Sequence, residues 1–212
     1  QMIYLGYLGT SGSTAYNYLV ADHQLIDKAS RQFFDERVLY LPTYQPNDRT
    51  RPLPTPPEDR QGLGLPSGVF VFCCFNNPAK VTPDMLTTWA TILKQVPNSV
   101  LWLLAEEPEA QSNLLAHVAR LGLSSNRVVF AERCDREKYL LRLSVADLFL
   151  DTFPYNAGTT ASDALWMNLP VLTRRGNSFP SRMASSVLHG VGLPQLITES
   201  ESQYIELAIQ LA

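Results

Sequence analysis

The stretch Asp151-Thr-Phe-Pro-Tyr-Asn-Ala-Gly-Thr-Thr-Ala-Ser-Asp163 joins an apolar run, Val145–Leu150, to a predicted helix that opens with Thr159 and Thr160. A helix N-terminus carries unpaired backbone N–H groups and about half a positive charge, so this junction suits a phosphate or diphosphate. Asp163 lies three to four residues further on the same helix face, where its carboxylate can accept hydrogen bonds from ribose hydroxyls. An ordinary capped helix is the alternative interpretation.

Apolar runs alternate with helical patterns from residue 67 onwards. The predicted strands are Val69–Phe75, Val100–Leu104, Arg127–Phe130, Ala146–Leu150, Val171–Thr173 and Leu196–Ile197. The predicted helices are Pro83–Gln95, Glu109–Leu121, Asp135–Leu143, Thr159–Asn168, Ser181–His189 and one that begins at Glu201. Continuous apolar strands between helices are typical of a buried parallel sheet with right-handed crossovers. The pattern predicts an α/β fold, a Rossmann-like doubly wound sheet of about six strands, with ligands at the carboxyl ends of the strands.

The chain divides into three predicted parts. Residues 49–66 are dense in Pro, Gly and charge, which predicts an interdomain linker because Pro prevents helix and central-strand formation. Residues 67–212 form the doubly wound lobe. Residues 1–48 hold three short predicted strands, Tyr4–Gly9, Tyr18–Ala21 and Val38–Leu41, too few to close a sheet, and are interpreted as the incomplete end of a preceding lobe.

Composition excludes several classes of protein. The chain has 212 residues and a formal net charge of −3 without a basic block, so a nucleic-acid partner is not expected. No apolar run approaches the roughly 20 residues of a membrane span. The chain begins directly in a strand-like run without a leader, so we expect a fragment of a longer protein, and its cysteine usage fits a reducing, cytoplasmic setting.

Cysteine and histidine usage indicates a reduced protein without a metal. Three cysteines are too few for a disulfide framework, and the adjacent Cys73 and Cys74 lie in an apolar strand, which predicts buried thiols. His23, His117 and His189 are far apart, no spacing suggests a metal site, and no Asp-x-Asp motif lies in a loop. We therefore expect neither a metal nor another cofactor.

A second candidate constellation is Cys74-Phe-Asn-Asn-Pro-Ala-Lys80, which follows the first strand of the large lobe. Lys80 can place its ammonium on a diphosphate, and Asn77 can donate its side-chain amide to the same group. A leaving phosphate needs such donors because charge builds on its oxygens. A surface lysine beside a helix start is the alternative.

Two further segments are candidates. In Phe130-Ala-Glu-Arg-Cys-Asp-Arg-Glu-Lys-Tyr139, either Tyr139 or Arg136 can stack on or border a base, the alternative being a solvated helix start. The polar loop Gly9-Thr10-Ser11-Gly12 lies across the predicted linker, and a plain turn is its alternative. Three of the four candidates follow strands of one sheet, so we expect them at a single edge.

The chain resembles the C-terminal half of the catalytic region of O-linked N-acetylglucosamine transferases and their bacterial and plant SPINDLY-like relatives, and is identified as a bacterial-type member. The matching stretches are Leu5-Gly-Tyr-Leu-Gly-Thr-Ser-Gly12, Phe75-Asn-Asn-Pro-Ala-Lys80, Trp89-Ala-Thr-Ile-Leu-Lys-Gln-Val-Pro-Asn-Ser-Val-Leu-Trp-Leu-Leu104, Leu150-Asp-Thr-Phe-Pro-Tyr155, Gly158-Thr-Thr160 with Asp163, and Ala164-Leu-Trp166. The likeness covers nearly the whole chain, and the Trp89–Leu104 match is the most specific part of it.

The resemblance implies a GT-B enzyme: two Rossmann-like lobes with the active site in the cleft, inverting, metal-independent and using a UDP-sugar to modify Ser or Thr hydroxyls of proteins. It also implies a fuller N-terminal lobe with the catalytic base, and tetratricopeptide repeats. By position, Lys80 matches a diphosphate-contacting lysine that stabilises the leaving group, and Asp163 the ribose-binding carboxylate. The remaining implied donor contacts are Asn77, Cys134, Arg136, Tyr139, Gly158, Thr159 and Thr160.

Three positions depart from the animal members of the family. Asn77 stands in place of a glutamine, Gly158 in place of a histidine, and Tyr139 in place of the histidine that stacks on the base. Tyrosine can still stack, so uridine binding is compatible with the change. N-acetylglucosamine is the expected sugar. The alternatives are another sugar such as fucose or glucose, a small-molecule or lipid acceptor, or a non-catalytic nucleotide-sugar-binding scaffold module.

Overall fold

The computed structural model describes residues 1–51 and 60–212, which form two parallel sheets. The small sheet has the order β1-β2-β3, with β1 at Met2–Ile3, β2 at Tyr18–Ala21 and β3 at Arg37–Tyr40. The large sheet has the order β6-β5-β4-β7-β8-β9. Its strands are β4 (Phe70–Cys74), β5 (Ser99–Leu104), β6 (Val128–Ala131), β7 (Leu148–Leu150), β8 (Val171–Arg174) and β9 (Ile197–Thr198).

The order of the large sheet fixes where a ligand can bind. Its strands run outward in chain order from β4 to β6 on one side, and from β7 to β9 on the other. The direction of winding therefore reverses between β4 and β7, which pair in parallel through Phe72 with Leu148 and Cys73 with Phe149. Such a reversal opens a crevice at the carboxyl ends of the two central strands. The predicted doubly wound α/β lobe of about six strands is confirmed.

Among the described residues, five α-helices connect successive strands of the large sheet, and a sixth follows β9. They are α1 (Pro83–Gln95), α2 (Pro108–Arg120), α3 (Arg136–Leu143), α4 (Thr159–Trp166), α5 (Met183–Gly190) and α6 (Glu201–Gln210). Helix α1 shows how the sequence sets such an element: Thr82 caps it by accepting from the Met85 N–H at 3.3 Å, and Pro83 occupies its first position. Its buried face includes Trp89 and Ile92, both fully inaccessible to solvent.

The main hydrophobic core lies between the large sheet and its helices. The central strands are buried on both faces, as their continuous apolar sequences predict. Cys73 and Cys74 are free and buried in this core, which confirms the prediction for them, and burial raises the pKa of both thiols. Among the described residues, no helix is both long and apolar enough to cross a bilayer.

The predicted strand Tyr4–Gly9 is wrong. The strand lies two residues earlier, at Met2–Ile3, because Leu5 adopts a left-handed conformation with φ of 63°. Its N–H donates to the hydroxyl of Tyr44 at 3.1 Å instead of joining a ladder. The two other predicted strands of this part are confirmed within one residue, and the three together do form a small sheet.

Two helices differ from the prediction by two residues at one end, and α2 and α3 differ by one residue. Helix α4 stops at Trp166 because Asn168 has a left-handed φ of 60°, and α5 is preceded by a separate 3-10 turn at Pro180–Arg182. The predicted parts 1–48, 49–66 and 67–212 stay a prediction. Of the predicted linker, residues 52–59 lie outside the described residues.

The small sheet is fastened to the large lobe through the segment before and within α5. Phe179 and Met183 enter the hydrophobic cluster of the small sheet. The Arg182 guanidinium donates to the Asp27 carboxylate at 2.9 Å, and the Ser186 hydroxyl donates to buried Asp22. The N-terminal segment and the large lobe therefore share apolar and ionic contacts that hold a cleft between them.

Replacing Arg182 by Met should lower the free energy of unfolding by about 1–3 kcal/mol, because it strips a nearly buried guanidinium from Asp27 and from the carbonyl of Gly176. Arg175→Met is the matched control. Arg175 lies further from the same carboxylate, at 3.7 Å, and is more exposed than Arg182. Its replacement should therefore lower the free energy of unfolding by less than about 1 kcal/mol. Urea unfolding measures both; equal losses would contradict the assignment.

Candidate functional site

The loops that follow β4 and β7 meet at the crevice between these strands. The Asn76 side-chain amide donates to the Asp151 carboxylate at 3.0 Å, and the Lys80 ammonium donates to the Asn156 carbonyl at 3.0 Å. Two of the sequence segments singled out for chemistry are therefore in direct contact. The sequence predicts their shared edge, and the strand order explains why they are neighbours.

A buried carboxylate organises the loop after β7. Asp151 Oδ1 accepts from Asn76 Nδ2 at 3.0 Å and from the backbone N–H groups of Thr152 and Ala157 at 2.8 Å each. Asp151 Oδ2 accepts from the Thr173 hydroxyl at 2.7 Å. Burial raises the Asp151 pKa to about 6, although these hydrogen bonds act to lower it. The carboxylate fixes the backbone from residue 152 to 157, just before α4. The sequence analysis assigned no role to Asp151 or Asn76.

Helix α4 begins without a side-chain cap. Gly158 is its N-cap residue, and Thr159 and Thr160 are its first two residues. A Cβ on Gly158 would lie 3.0 Å from Met183 Cε and 3.3 Å from Gln45 Oε1, so glycine lets the chain after β3 approach the helix end. Gln45 donates to the Thr159 hydroxyl at 3.4 Å. Backbone N–H groups at this helix end are the expected anion-binding donors.

Lys80 and the start of α4 line one cavity of about 360 Å³. The Lys80 ammonium lies 4.3 Å from the centre of the Tyr155 ring, and burial lowers its pKa. The cavity is lined by Leu5, Gly6, Leu8, Tyr44, Gln45, Pro46, Lys80, Tyr155, Asn156, Gly158, Thr159 and Met183. It thus lies between the small sheet's loops and the large lobe, with a cation and a helix N-terminus on one wall.

Asn77 does not face this cavity. It is exposed, and its Oδ1 accepts from the Ala79 N–H at 3.0 Å, which caps the short 3-10 turn Pro78–Lys80. Its neighbour Asn76 is the buried member of the pair. The structure therefore gives Asn77 a capping contact, and its predicted donor contact stays a prediction.

A smaller cavity of about 80 Å³ lies beyond the carboxyl ends of β5 and β6. It is lined by Phe75, Leu104, Ala131, Glu132, Arg133, Cys134, Tyr139 and Arg142. Tyr139 is largely buried, which raises its pKa, and the Asp163 carboxylate and the Thr160 side chain are near enough to act on that pKa. Tyr139 therefore lies between this aromatic pocket and the start of α4. Arg142, which donates to the Glu132 carbonyl, was missed by the sequence analysis.

Asp163 is buried on α4 and carries two arginine contacts. Its Oδ1 pairs with the Arg51 guanidinium, and Arg136 on α3 reaches the same oxygen at 3.3 Å. Burial raises the Asp163 pKa, and the two arginines act against that rise. Arg136 therefore contacts the carboxylate and is not part of the aromatic pocket's lining. Arg51, from the predicted linker, was not among the predicted site residues.

The loop Gly9-Thr10-Ser11-Gly12 is bound by Glu36 and does not line the 360 Å³ cavity. The carboxylate accepts from the Thr10 hydroxyl at 2.8 Å and from the Ser11 N–H at 2.7 Å. The segment just before it, at Leu5, Gly6 and Leu8, lines the cavity instead. The predicted role of residues 9–12 as a cleft loop stays a prediction.

Across residues 1–51 and 60–212, no group of three or more His, Cys, Asp or Glu side chains is arranged to hold a metal ion. The predicted absence of a metal cofactor stays a prediction. What the described residues do offer is an aromatic pocket, a buried carboxylate, an uncapped helix N-terminus and an ammonium along one sheet edge. Aromatic rings can stack on bases, and a helix N-terminus and an ammonium can bind phosphate groups.

Comparison with known proteins shows that this chain is similar to glycosyltransferases. The model of glycosyltransferase family 41 matches residues 50–212. A solved O-GlcNAc transferase mutant from Thermobaculum terrenum superposes with a TM-score of 0.89 at 31% identity, covering the whole of this chain and 40% of that one. This match includes both sheets and confirms the predicted fold class, the C-terminal lobe of a GT-B glycosyltransferase with the tail of its N-terminal lobe.

Two curated plant relatives match over the full chain. One is a probable UDP-N-acetylglucosamine–peptide N-acetylglucosaminyltransferase SEC from Arabidopsis thaliana, 32% identical, and the other a probable enzyme of the same description, SPINDLY, from Eustoma exaltatum subsp. russellianum, 33% identical. The chain spans only 22% and 23% of their lengths. The resemblance stated from the sequence is confirmed.

Asp151→Ala should lower the free energy of unfolding by about 3–5 kcal/mol, because it leaves one N–H of the Asn76 amide and two buried backbone N–H groups without an acceptor. Asp151→Asn is the matched variant. Its oxygen can take the three donors on Oδ1 while its amide donates to the Thr173 hydroxyl, so we expect a loss of only about 1 kcal/mol. Denaturant unfolding at pH 7 compares them. Equal costs for Ala and Asn would refute the hydrogen-bond account.

Glu36→Gln should flatten the acid side of the stability profile. Burial raises the Glu36 pKa, but the hydrogen bonds from Ser11 and Thr10 outweigh it and bring the pKa to about 2 from 4.5. A carboxyl group with a depressed folded pKa stabilises the fold fully above pH 4.5 and loses that contribution as pH falls towards 2. As the pH is lowered from about 5 to about 2, the free energy of unfolding should therefore fall more steeply in the wild type than in Glu36→Gln. Parallel profiles would contradict this.

Proposed function

Since this chain belongs to glycosyltransferase family 41, we propose that it carries the donor-binding half of an enzyme that moves a sugar from a UDP-sugar to Ser or Thr hydroxyls of proteins. The relatives' names specify UDP-N-acetylglucosamine as donor and peptide as acceptor, which supports N-acetylglucosamine as the sugar. The acceptor protein, the rest of the N-terminal lobe, tetratricopeptide repeats and a cytoplasmic location are parts of the same proposal.

The observation that carries the proposal is the order of groups along the sheet edge. The aromatic pocket at Tyr139 lies next to Thr160 at the start of α4, and Lys80 lies on the far side, where it lines the 360 Å³ cavity. We place uracil in the aromatic pocket, ribose at Asp163, and the diphosphate between Lys80 and the α4 N-terminus. The sugar then points into the cavity that faces the small sheet.

The proposed reaction is a single displacement with inversion at the anomeric carbon. The acceptor oxygen forms its bond to that carbon as the bond to the β-phosphate oxygen breaks, and UDP leaves with the electron pair. Lys80 and the N–H groups of α4 neutralise the negative charge that develops on the leaving group, so that a metal ion is not required.

The acceptor hydroxyl must also lose its proton. The lining of the 360 Å³ cavity contains no histidine and no carboxylate among the described residues. We therefore assign the general base to the N-terminal lobe outside this sequence. On this assignment the isolated chain binds the donor but does not catalyse transfer.

Calorimetric titration with UDP, UMP and GDP in a chelating buffer tests the proposal, on this chain and on the longer parent protein. UDP should bind more tightly than either UMP or GDP, because only UDP supplies both uracil and the second phosphate. Absence of UDP binding by the parent protein would refute the donor site. Donor binding without turnover in the parent would support the scaffold alternative.

Lys80→Ala should weaken UDP binding roughly 10- to 100-fold, the range of one lost charge-assisted hydrogen bond, and leave UMP affinity within about threefold. Lys94→Ala is the matched control, since Lys94 is exposed at the end of α1 and lines neither cavity. The control should leave both affinities unchanged. Equal losses for UDP and UMP in Lys80→Ala would mean that Lys80 does not contact the second phosphate.

A further inference from the structure

Arg51 makes an unusually complete set of contacts for a residue of a connecting segment. Its side chain is 4% exposed, and its guanidinium pairs with Asp163 Oδ1 and donates to the Ser162 hydroxyl at 3.2 Å. Its Nε donates to the Asp48 carbonyl at 3.1 Å, and the guanidinium carbon lies 5.0 Å from the Trp166 ring centre. Every face of the group is thus engaged, which fits a fixed structural position.

Arg51 lies next to a different cavity from the ones assigned to the nucleotide. Ser162 and Trp166, which hold Arg51, line a separate cavity of about 530 Å³ against the segment that runs from Thr43 to Arg49. The nucleotide's proposed position lies on the side of Thr159, Thr160 and Tyr139. Arg51 lines neither the 360 Å³ cavity nor the aromatic pocket, so we place it outside the position assigned to the ribose.

The two arginine contacts restrict the orientation of the Asp163 carboxylate. Both Arg51 and Arg136 meet the same oxygen, Oδ1. Arg136 is 57% exposed and so is held loosely, whereas Arg51 is buried with its partner. A buried carboxylate without a paired cation would favour its neutral form, and a neutral carboxyl is a poorer acceptor for hydroxyl groups.

We propose that Arg51 is a positioning residue for the donor site, which keeps Asp163 charged and turns its Oδ2 towards the ribose hydroxyls. The inference rests on the proposed function, because it assigns the ribose to Asp163. It links the segment after β3 to the donor helix, so that the chain connecting the two lobes also shapes the nucleotide site. Arg51 touches no reacting atom and acts through the carboxylate alone.

The test compares UDP with 2′,3′-dideoxy-UDP, which lacks both ribose hydroxyls, by calorimetry on wild type, Arg51→Met, Arg51→Lys and Arg49→Met. The wild type should prefer UDP by about tenfold, the worth of a charge-assisted hydrogen bond. Arg51→Met should lose most of that preference and bind the dideoxy nucleotide within about twofold of wild type. Arg51→Lys should keep an intermediate preference, since lysine restores the charge but not the planar geometry. Arg49→Met, exposed in the same segment, should behave as wild type.

The outcomes separate the two levels of the proposal. An undiminished UDP preference in Arg51→Met overturns the positioning role, and tighter UDP binding overturns it in favour of a residue that blocks the site. If Arg51→Met does not fold, Arg51→Lys decides alone: a reduced preference supports the role and a wild-type preference overturns it. A wild type that binds neither nucleotide refutes the donor site itself, and this inference with it.

Discussion

The buried carboxylate of Asp151 is the contact on which the site depends. It lies at the point where the winding of the sheet reverses, and it binds the loop after β4 through Asn76 and the strand β8 through Thr173. Two backbone N–H groups of its own loop complete the set. Hydrogen bonds of a charged group in a buried position are strong and directional, so they fix the loop that leads into α4. The uncapped start of that helix can then face an anion.

A second constraint is the attachment of the small sheet to the large lobe. Met183 packs among the side chains of the small sheet, and its Cε lies where a side chain on Gly158 would have to fit. Asp27 and Asp22 accept hydrogen bonds from Arg182 and Ser186. These contacts bring Leu5, Gly6 and Gln45 to the wall opposite Lys80. The cleft is therefore formed by packing between lobes, and the absence of a side chain at Gly158 is part of that packing.

Much of the fold follows from local sequence, because apolar runs and helix caps report on neighbouring residues. Helix α1 has the predicted bounds since Thr82 and Pro83 mark its start, whereas Tyr4–Gly9 has strand-like residues but turns at Leu5. Lys80, Thr159 and Asp163 could be predicted as site residues because each lies near a recognisable strand or helix end. The partners Arg51 and Asn76 were missed because they join residues 112 and 75 positions away, and no local pattern encodes such pairs. The sequence also did not distinguish Asn76 from Asn77, of which only the first is buried.

The central claim is that one edge of the large sheet binds a uridine diphosphate in a fixed orientation. A crystal structure of this chain with UDP, grown in a chelating buffer, tests it most directly. The account predicts the β-phosphate within hydrogen-bond distance of Lys80 Nζ and the first N–H groups of α4, the ribose hydroxyls on Asp163 Oδ2, and uracil against Tyr139. A nucleotide bound elsewhere, or reversed with its base in the 360 Å³ cavity, would contradict the account.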